Sequence, residues 1–590
     1  MLKLFKYLKK YWLQIAGLVI LIFATVAANL QLPDYMAKIV NEGIIGSDNG
    51  LIWHYGIYML LIALGGAVAT IGVGFLAAKI ATGFSKDIRE KVFSRVESFS
   101  LIEFNKFSST SLITRTTNDI QQIQIAMVLI LRMALQAPIT GIWAIYKAYN
   151  LAPSLTWLIA LAVGILVTFI VTIFLIGMPK FRLLQKLVDR LNLVTRENLT
   201  GLRVIRAFNN EKIEESKFEK ANVDLTTANL FVNRLMVVMQ PLMMLVFNLT
   251  AVAVVWFGAH SIGVGNLEIG NMIAFMQYAM QVILSFLLMS IVFIMVPRAS
   301  VSATRVSEVI ETEPQIKDPQ NSKKIATKEN GLVEFRNVNF SYPGADTPVL
   351  EKISFSAITG ETTAIIGSTG SGKSTLINLI PRFYDATSGQ VLIDGVNVKN
   401  IKLEDLYSKV GYVPQQGVLF SGTVESNIKY GATKINDSAV KRSSEIAQAD
   451  EFIKNLEGKY SSPIAQGGAN VSGGQKQKLS IARAIARDPE IYIFDDSFSA
   501  LDFQTDANLR RALKTATKNK TILIVAQRIA TILSAEKIIV LDEGKIVGVG
   551  KHRELMKTCK VYQEIASSQL SDDELRKYQL SFDATLGGQK

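Results

Sequence analysis

The residues best suited to chemistry lie at the end of an apolar run. Ile491 to Asp502 reads IYIFDDSFSALD: a strand-like stretch closing on Asp495 and Asp496, then a polar turn. An acid at the end of a buried strand suits a magnesium ion held through water, which assigns Asp495 to a metal site. The following acid, Asp496, stands where a general base would reach an attacking water. Such a base must come within hydrogen-bond range of the proton it takes, about 2.6–3.2 Å. Aspartate is one methylene shorter than glutamate, so its carboxylate is expected to fall short.

A second stretch supplies what the acids would act on. Gly367, Ser368, Thr369, Gly370, Ser371, Gly372, Lys373, Ser374 and Thr375 follow the strand-like TTAIIG and precede the helical LINLIPRFY. That is the G-x-x-x-x-G-K-[ST] pattern between a strand and a helix. Its glycines let backbone N–H groups curl around phosphates, and the helix N-terminus adds partial positive charge. Lys373 can reach the β- and γ-phosphates, while Ser374 can ligate Mg2+. Between the two motifs lies VSGGQKQKLSIARAIARDP, residues 471–489. Small residues at Ser472, Gly473 and Gly474 open a helix and make a second anion-binding end. One domain has no use for two such ends on one nucleotide, whereas two domains facing each other do.

These motifs sit in the second half of a 590-residue chain, too long for one compact domain. Beyond about residue 331, strand-like runs alternate with helical ones, which implies an α/β domain. The first half is of another kind. Six apolar segments, roughly 13–32, 55–77, 127–146, 155–178, 241–259 and 272–296, are each about long enough to cross a bilayer. The formal net charge is +13, and residues 1–330 carry 31 Lys/Arg against 21 Asp/Glu. A surplus placed in the hydrophobic half points to a membrane surface and away from nucleic acid. The first apolar run is too long for a cleavable signal. A single cysteine, Cys559, excludes an intrachain disulfide framework and a cysteine metal cluster, and three histidines leave little for a histidine metal site.

Loop charge gives an orientation. Segments 79–122 and 179–234 hold seven and eleven Lys/Arg, while the other three connections hold two in total. Basic loops stay inside, so both termini and the α/β domain are expected in the cytoplasm. The N-terminal MLKLFKYLKKYW reads as a short amphipathic helix on the inner face. The two internal loops are helix-permissive, so the spans should extend into the cytoplasm, with short helices at 112–122 and 197–211. Arg132, inside the third span, is either a functional intramembrane charge or an arginine reaching the inner interface. Nine of sixteen methionines lie between Met236 and Met295, as adaptable packing or as the lining of a permissive apolar cavity.

Together the phosphate loop, the VSGGQ stretch and the six spans resemble an ABC exporter half-transporter over roughly 1–570. The resemblance implies a fold of six membrane helices of the ABC exporter type fused to an α/β P-loop nucleotide-binding domain. It implies domains at 1–310 and 331–570, with a linker at 311–330 and a polar tail at 571–590. It assigns Tyr342 to stacking on adenine, Gln415 to linking Mg2+ with the membrane domain, and Ser472 to Gln475 to capping a nucleotide held by the opposite subunit. Ser499 to Asp502 resemble the loop crossing between the two sites, with Asp502 its last residue. Segments 112–122 and 197–211 resemble the coupling helices. ATP and Mg2+ are the implied ligands.

Two departures from the family pattern fall in one site. Glutamate usually follows the magnesium-site aspartate, and this chain has Asp496. The switch position, usually histidine, is Gln527 in ILIVAQRIAT; a neutral amide can hold a phosphate oxygen but brings no positive charge. The pattern resembles the degenerate subunit of bacterial heterodimeric multidrug exporters: a multi-pass cell-membrane ATPase whose own site is impaired. Its partner would be a second, non-identical half, and its substrate a hydrophobic or amphipathic compound. The alternatives are a homodimeric lipid or peptide exporter and an ATP-gated membrane regulator that does not pump.

Overall fold

The computed structural model describes residues 2–323, 330–431 and 435–570. The chain divides into two compact units: residues up to Glu97 with Ser108–Thr312, and Ser98–Phe107 with the chain from Glu313 onward. The polar tail expected at 571–590 lies outside the described residues.

The first unit is built from six helices long and apolar enough to cross a membrane: Lys3–Ile44, Asn49–Glu97, Ser109–Leu151, Pro153–Ala207, Glu211–Gly263 and Ile269–Glu311. Each contains one of the six apolar runs. Along the first helix Leu18, Ile22, Val26, Leu30, Pro33 and Ala37 are buried on one face, the stripe expected of helical periodicity. Large apolar side chains such as Trp53, Ile71 and Trp256 stand exposed on the outside, as suits a lipid-facing surface. The N-terminal stretch is indeed helical, wound as a 3-10 helix over Leu2–Tyr11.

Five of the six helices carry an internal proline, Pro33, Pro138, Pro179, Pro241 and Pro297. Proline has no N–H, so each leaves the carbonyl four residues earlier without its helical partner. At Pro33 the sixth helix supplies the remedy. Gln281 Nε2 donates to the Asn29 carbonyl at 3.1 Å, and Tyr278 OH donates to the Leu30 carbonyl at 2.9 Å. Tyr278 also donates to Asp34, whose other oxygen pairs with Lys147 of the third helix at 2.6 Å. In this way three helices are tied around one proline.

The segments expected as tip helices differ from expectation. Residues 112–122 do not form a separate helix but lie inside the third long helix, and the short helix is Leu101–Phe107. That helix belongs to the second unit: Ile102 packs on its core, Asn105 Nδ2 donates to Tyr384 OH at 3.3 Å, and Glu103 accepts from the Gln315 N–H at 3.1 Å. Residues 197–207 end the fourth helix and Glu211 opens the fifth, so no separate tip helix forms there either. The linker is also shorter than its polarity suggested. The sixth helix runs through Pro297 to Glu311, and residues from Glu313 belong to the second unit, where Asp318 accepts from the Leu403 N–H and the Asn400 carbonyl accepts from the Lys323 N–H. Polar composition could not reveal this, because side-chain and backbone groups far along the chain satisfy the segment.

The second unit is α/β. Its strands are β1 Val333–Phe340, β2 Leu350–Ala357, β3 Thr362–Gly367, β4 Ser388–Ile393, β5 Val396–Asn397, β6 Val410–Val413, β7 Gly422–Thr423, β8 Pro463–Ile464, β9 Ile491–Asp495, β10 Thr521–Val525, β11 Lys537–Asp542 and β12 Lys545–Gly550. A six-stranded sheet has the order β12-β11-β3-β10-β9-β6, parallel except for β12. An antiparallel sheet, β2-β1-β4-β5, and the pair β7-β8 accompany it. Both faces of the six-stranded sheet are covered. Ile522 and Ile524 enter one apolar cluster, and Leu523 and Val525 the other. That alternation follows from the pleat and explains why β3, β9 and β10 read as near-continuous apolar runs. β3, β6, β9 and β10 run the same way, so the loops that follow them meet at one edge, where open α/β sheets bind ligands.

Candidate nucleotide site

Four loops build this edge. The first leaves β3 at Gly367 and enters the helix Lys373–Asn378. Gly370 and Gly372 have φ of +86° and +95°, a region side-chain-bearing residues rarely enter. A Cβ on Gly372 would also meet Leu350 Cδ2 at 2.8 Å. The loop is therefore fixed by conformation and by crowding. Lys373 is buried, and its ammonium donates to the Gly367 and Ser368 carbonyls at 2.8 and 2.7 Å. Burial lowers its pKa, with Asp496 and Asp495 opposing that shift. Ser371, within the loop, buries a hydroxyl with no partner among the described residues. A buried unsatisfied hydroxyl in a loop of inward-turned amides fits a ligand rich in acceptor oxygens.

The second loop follows β9. Ser374 Oγ donates to Asp495 Oδ1 at 2.9 Å, and Tyr412 OH, from β6, lies 3.4 Å from Asp495 Oδ2. Burial pushes the Asp495 carboxyl above its usual range, against the bonds from Ser374 and Tyr412. A hydroxyl and a carboxylate side by side are hard oxygen ligands of the kind Mg2+ takes, and Gln415 in the loop after β6 can add a third oxygen. The donor set fits the ion.

Asp496 is in the left-handed region, with φ of +46°, and its N–H bonds to the Val525 carbonyl at 3.0 Å. That bond joins it to the end of the neighbouring strand and aims the carboxylate. Gln415 Nε2 approaches Asp496 Oδ2 at 3.3 Å. Burial raises the Asp496 pKa, while bonds from Ser499, Gln415 and the Gln527 backbone hold it down. The Gln527 side chain itself stands exposed, just past β10.

The aromatic at the other end is Tyr342. Its hydroxyl lies 2.9 Å from Thr375 Oγ1, and its ring meets Tyr384 edge-on with centroids 5.3 Å apart. The structure thus gathers Lys373, Ser374, Thr375, Gln415, Asp495, Asp496 and Tyr342 around one loop.

Two expected pieces stand apart. Ser472 caps the helix Gly473–Ala486: its Oγ accepts from the Gln475 N–H at 3.3 Å, and Gln475 Oε1 accepts from the Ser472 N–H at 2.9 Å. Among the described residues no hydrogen bond joins 472–475 to the phosphate loop. A Cβ on Gly473 would meet nothing, while one on Gly474 would lie 3.3 Å from the Ala500 carbonyl. Asp502 caps the helix Phe503–Ala516 by accepting from the Thr505 N–H at 2.9 Å. Tyr412 and Tyr384 were not anticipated. Tyr412 sits three residues before Gln415 on the inner edge of a strand, a signal that could have been read; Tyr384 could not, since nothing in its neighbourhood announces a contact with Tyr342.

The chain matches the families described as ABC transporter transmembrane region over residues 15–286 and ABC transporter over residues 350–499. It is 39% identical over 586 residues to an uncharacterized ABC transporter ATP-binding protein of Mycobacterium tuberculosis, covering 99% of this chain and 98% of the relative. It is 31% identical to a protein of Hahella chejuensis named ATP-dependent lipid A-core flippase, covering 97% of each. Among solved structures, a bacterial Atm1-family ABC exporter with ATP bound superposes with a TM-score of 0.80 at 24% identity, covering 95% of this chain and 98% of that one.

Proposed function

The chain belongs to the ABC transporter family as an exporter half-transporter, a multi-pass membrane protein with an ATP-binding unit, and on that premise we propose that it works beside a non-identical half. In this reading its own nucleotide site holds ATP and hydrolyses it slowly. Its signature, Ser472 to Gln475, completes the partner's active site, and the pair exports hydrophobic or amphipathic compounds from a cytoplasmic-facing ATPase.

The supporting observation is the state of Asp496. Its carboxylate is engaged by Gln415, and no imidazole stands at the switch position. A base tied in this way and shortened by a methylene is poorly placed to take a proton from water. The binding half of the site is intact. Lys373 and the loop amides would neutralise the phosphates, Tyr342 would stack on the base, and Ser374, Gln415 and Asp495 would hold Mg2+, which screens phosphate charge when bound. Helix Leu101–Phe107, and not 112–122, would take the first coupling role.

The test is co-purification of the tagged full-length chain from its native membrane, followed by ATPase measurement of the chain alone and of the complex. The expected result is weak turnover alone and strong turnover in the complex. Vigorous hydrolysis by the chain alone would overturn the reading.

A second reading is favoured by one finding, the flippase name carried by the Hahella chejuensis relative: the same machine moving lipid, as a homodimer. Vesicles containing the purified chain, assayed with a fluorescent lipid and with an amphipathic dye, separate the two. Lipid movement without any partner supports the second, and dye accumulation that needs the partner supports the first.

A further inference from the structure

One side chain from the end of the described chain meets the switch segment twice. Gln569 closes the helix Lys560–Gln569. Its Nε2 donates to the Gln527 carbonyl at 2.7 Å, and its Oε1 accepts from the Ile529 N–H at 2.8 Å. A carbonyl and the N–H two residues on are the pair a neighbouring β-strand would bond. The carboxamide takes the place of one residue of a parallel strand, its N–H and its C=O, just where β10 has ended at Val525. Gln527 is therefore held at its carbonyl by Gln569, two residues past Val525, whose own carbonyl accepts from the Asp496 N–H at 3.0 Å. The residues around it are tied as well: Arg510 Nη1 donates to the Ala530 and Thr531 carbonyls, each at 3.1 Å, and Arg528 Nη2 donates to the Ser499 carbonyl at 3.3 Å.

We propose that Gln569 is a positioning residue for ATP hydrolysis: by pinning the backbone on both sides of Arg528, it sets where Gln527 and the Asp496 carboxylate stand against the phosphate end of the site. It touches no reacting atom. The inference rests on the reading that this unit turns over ATP, fast or slowly.

The test uses the full-length chain in lipid nanodiscs, unmodified and as Q569L and Q569E. Leucine keeps the bulk and removes both bonds, so kcat falls about tenfold while KM for ATP stays within about twofold, because the phosphate loop and Tyr342 are untouched. Glutamate keeps the acceptor and loses the donor until it is protonated. Its rate relative to the unmodified chain at the same pH therefore rises as pH falls toward the carboxyl range, about 4.3. Amide hydrogen exchange over residues 526–532 quickens about tenfold in Q569L, the scale of one lost bond. Single-turnover hydrolysis of labelled ATP supplies the same ratio when steady-state rates are small.

An unchanged kcat, with or without faster exchange, overturns the proposal. So does a loss of kcat that comes with a raised KM and a lowered melting temperature, or a Q569E profile that parallels Q569L at every pH. The rate of the unmodified chain alone reads the separate matter of whether the site is impaired, so the two can fail independently.

Discussion

The two ends of the nucleotide site are built to different standards. At the phosphate end, backbone conformation, crowding and short bonds converge. Gly372 sits at φ +95° against Leu350, Lys373 is held by two carbonyls, and Ser374 meets Asp495 at 2.9 Å. At the switch end, a short acid is caught by an amide at 3.3 Å, and the residue expected to bring charge is a neutral glutamine. Both ends hang on strands of one sheet, so the difference is not one of scaffold. It lies in the last few atoms of two side chains, and in the proposed reading it separates gripping a nucleotide from breaking it.

The contrast can be broken most forcefully from outside. Ser472→Arg places a long charged side chain at the helix end proposed to complete the partner's site. It should cut the complex's ATPase by about 10²–10³-fold, the scale of losing pre-organised stabilisation of a transferring group. ATP binding by this chain's own loop should be unchanged in equilibrium dialysis. A complex that kept its rate would remove the shared-site arrangement.

Within the chain, Lys373→Ala should weaken ATP binding by about 30–100-fold, because hydrogen bonds to a charged group are lost. Binding measured by fluorescent-nucleotide titration checks it, and unaltered affinity would show that the phosphate end is not where ATP is gripped. Joining Asp496→Glu with Gln527→His should raise the isolated chain's turnover by about 10-fold or more, part of the 10²–10⁴ that a well-placed base supplies. No gain would mean that the two side chains are not what separates the ends.

The smallest effect is expected from Asp496→Asn, a change of about twofold or less in the complex's ATPase, since in the proposed arrangement most of the complex's turnover comes from the site on the partner's phosphate loop. Stability of the nucleotide-free chain should move the other way. Burial raises the Asp496 pKa, so the folded state binds its proton more readily than the unfolded state does. Its contribution is favourable below the ordinary carboxyl pKa and is lost as pH rises through the folded value. At neutral pH the charged form is therefore a cost, and Asn should raise the melting temperature there but not at acid pH. Scanning calorimetry at both pH values checks the sign.

What was legible in the sequence follows the same divide. The phosphate loop could be read because its pattern dictates backbone shape as well as chemistry, and Asp495 because an acid closes an apolar run just before a polar turn. The six long helices could be read because lipid demands length and apolarity together. The tip helix was misplaced, since 98–107 and 112–122 are equally willing to be helical and only packing of Ile102 and Asn105 decides between them. The Gln569 clasp spans forty-two positions and joins a side chain to backbone, so no spacing or periodicity marks it. Sequence carried what is local or repeated, and the unique long-range bonds had to be seen.

The contact at Pro33 has a consequence for motion. The Asn29 carbonyl, which Pro33 leaves without a helical donor, is served by Gln281 of another helix, and Tyr278 of that helix bonds the Leu30 carbonyl and Asp34. Sliding the first helix past the sixth would strip the Asn29 oxygen of its donor, at several kcal/mol for a group left unsatisfied away from water. The two helices are thus obliged to travel as one strut, and any rearrangement that opens a path for cargo must find its slip plane elsewhere in the bundle.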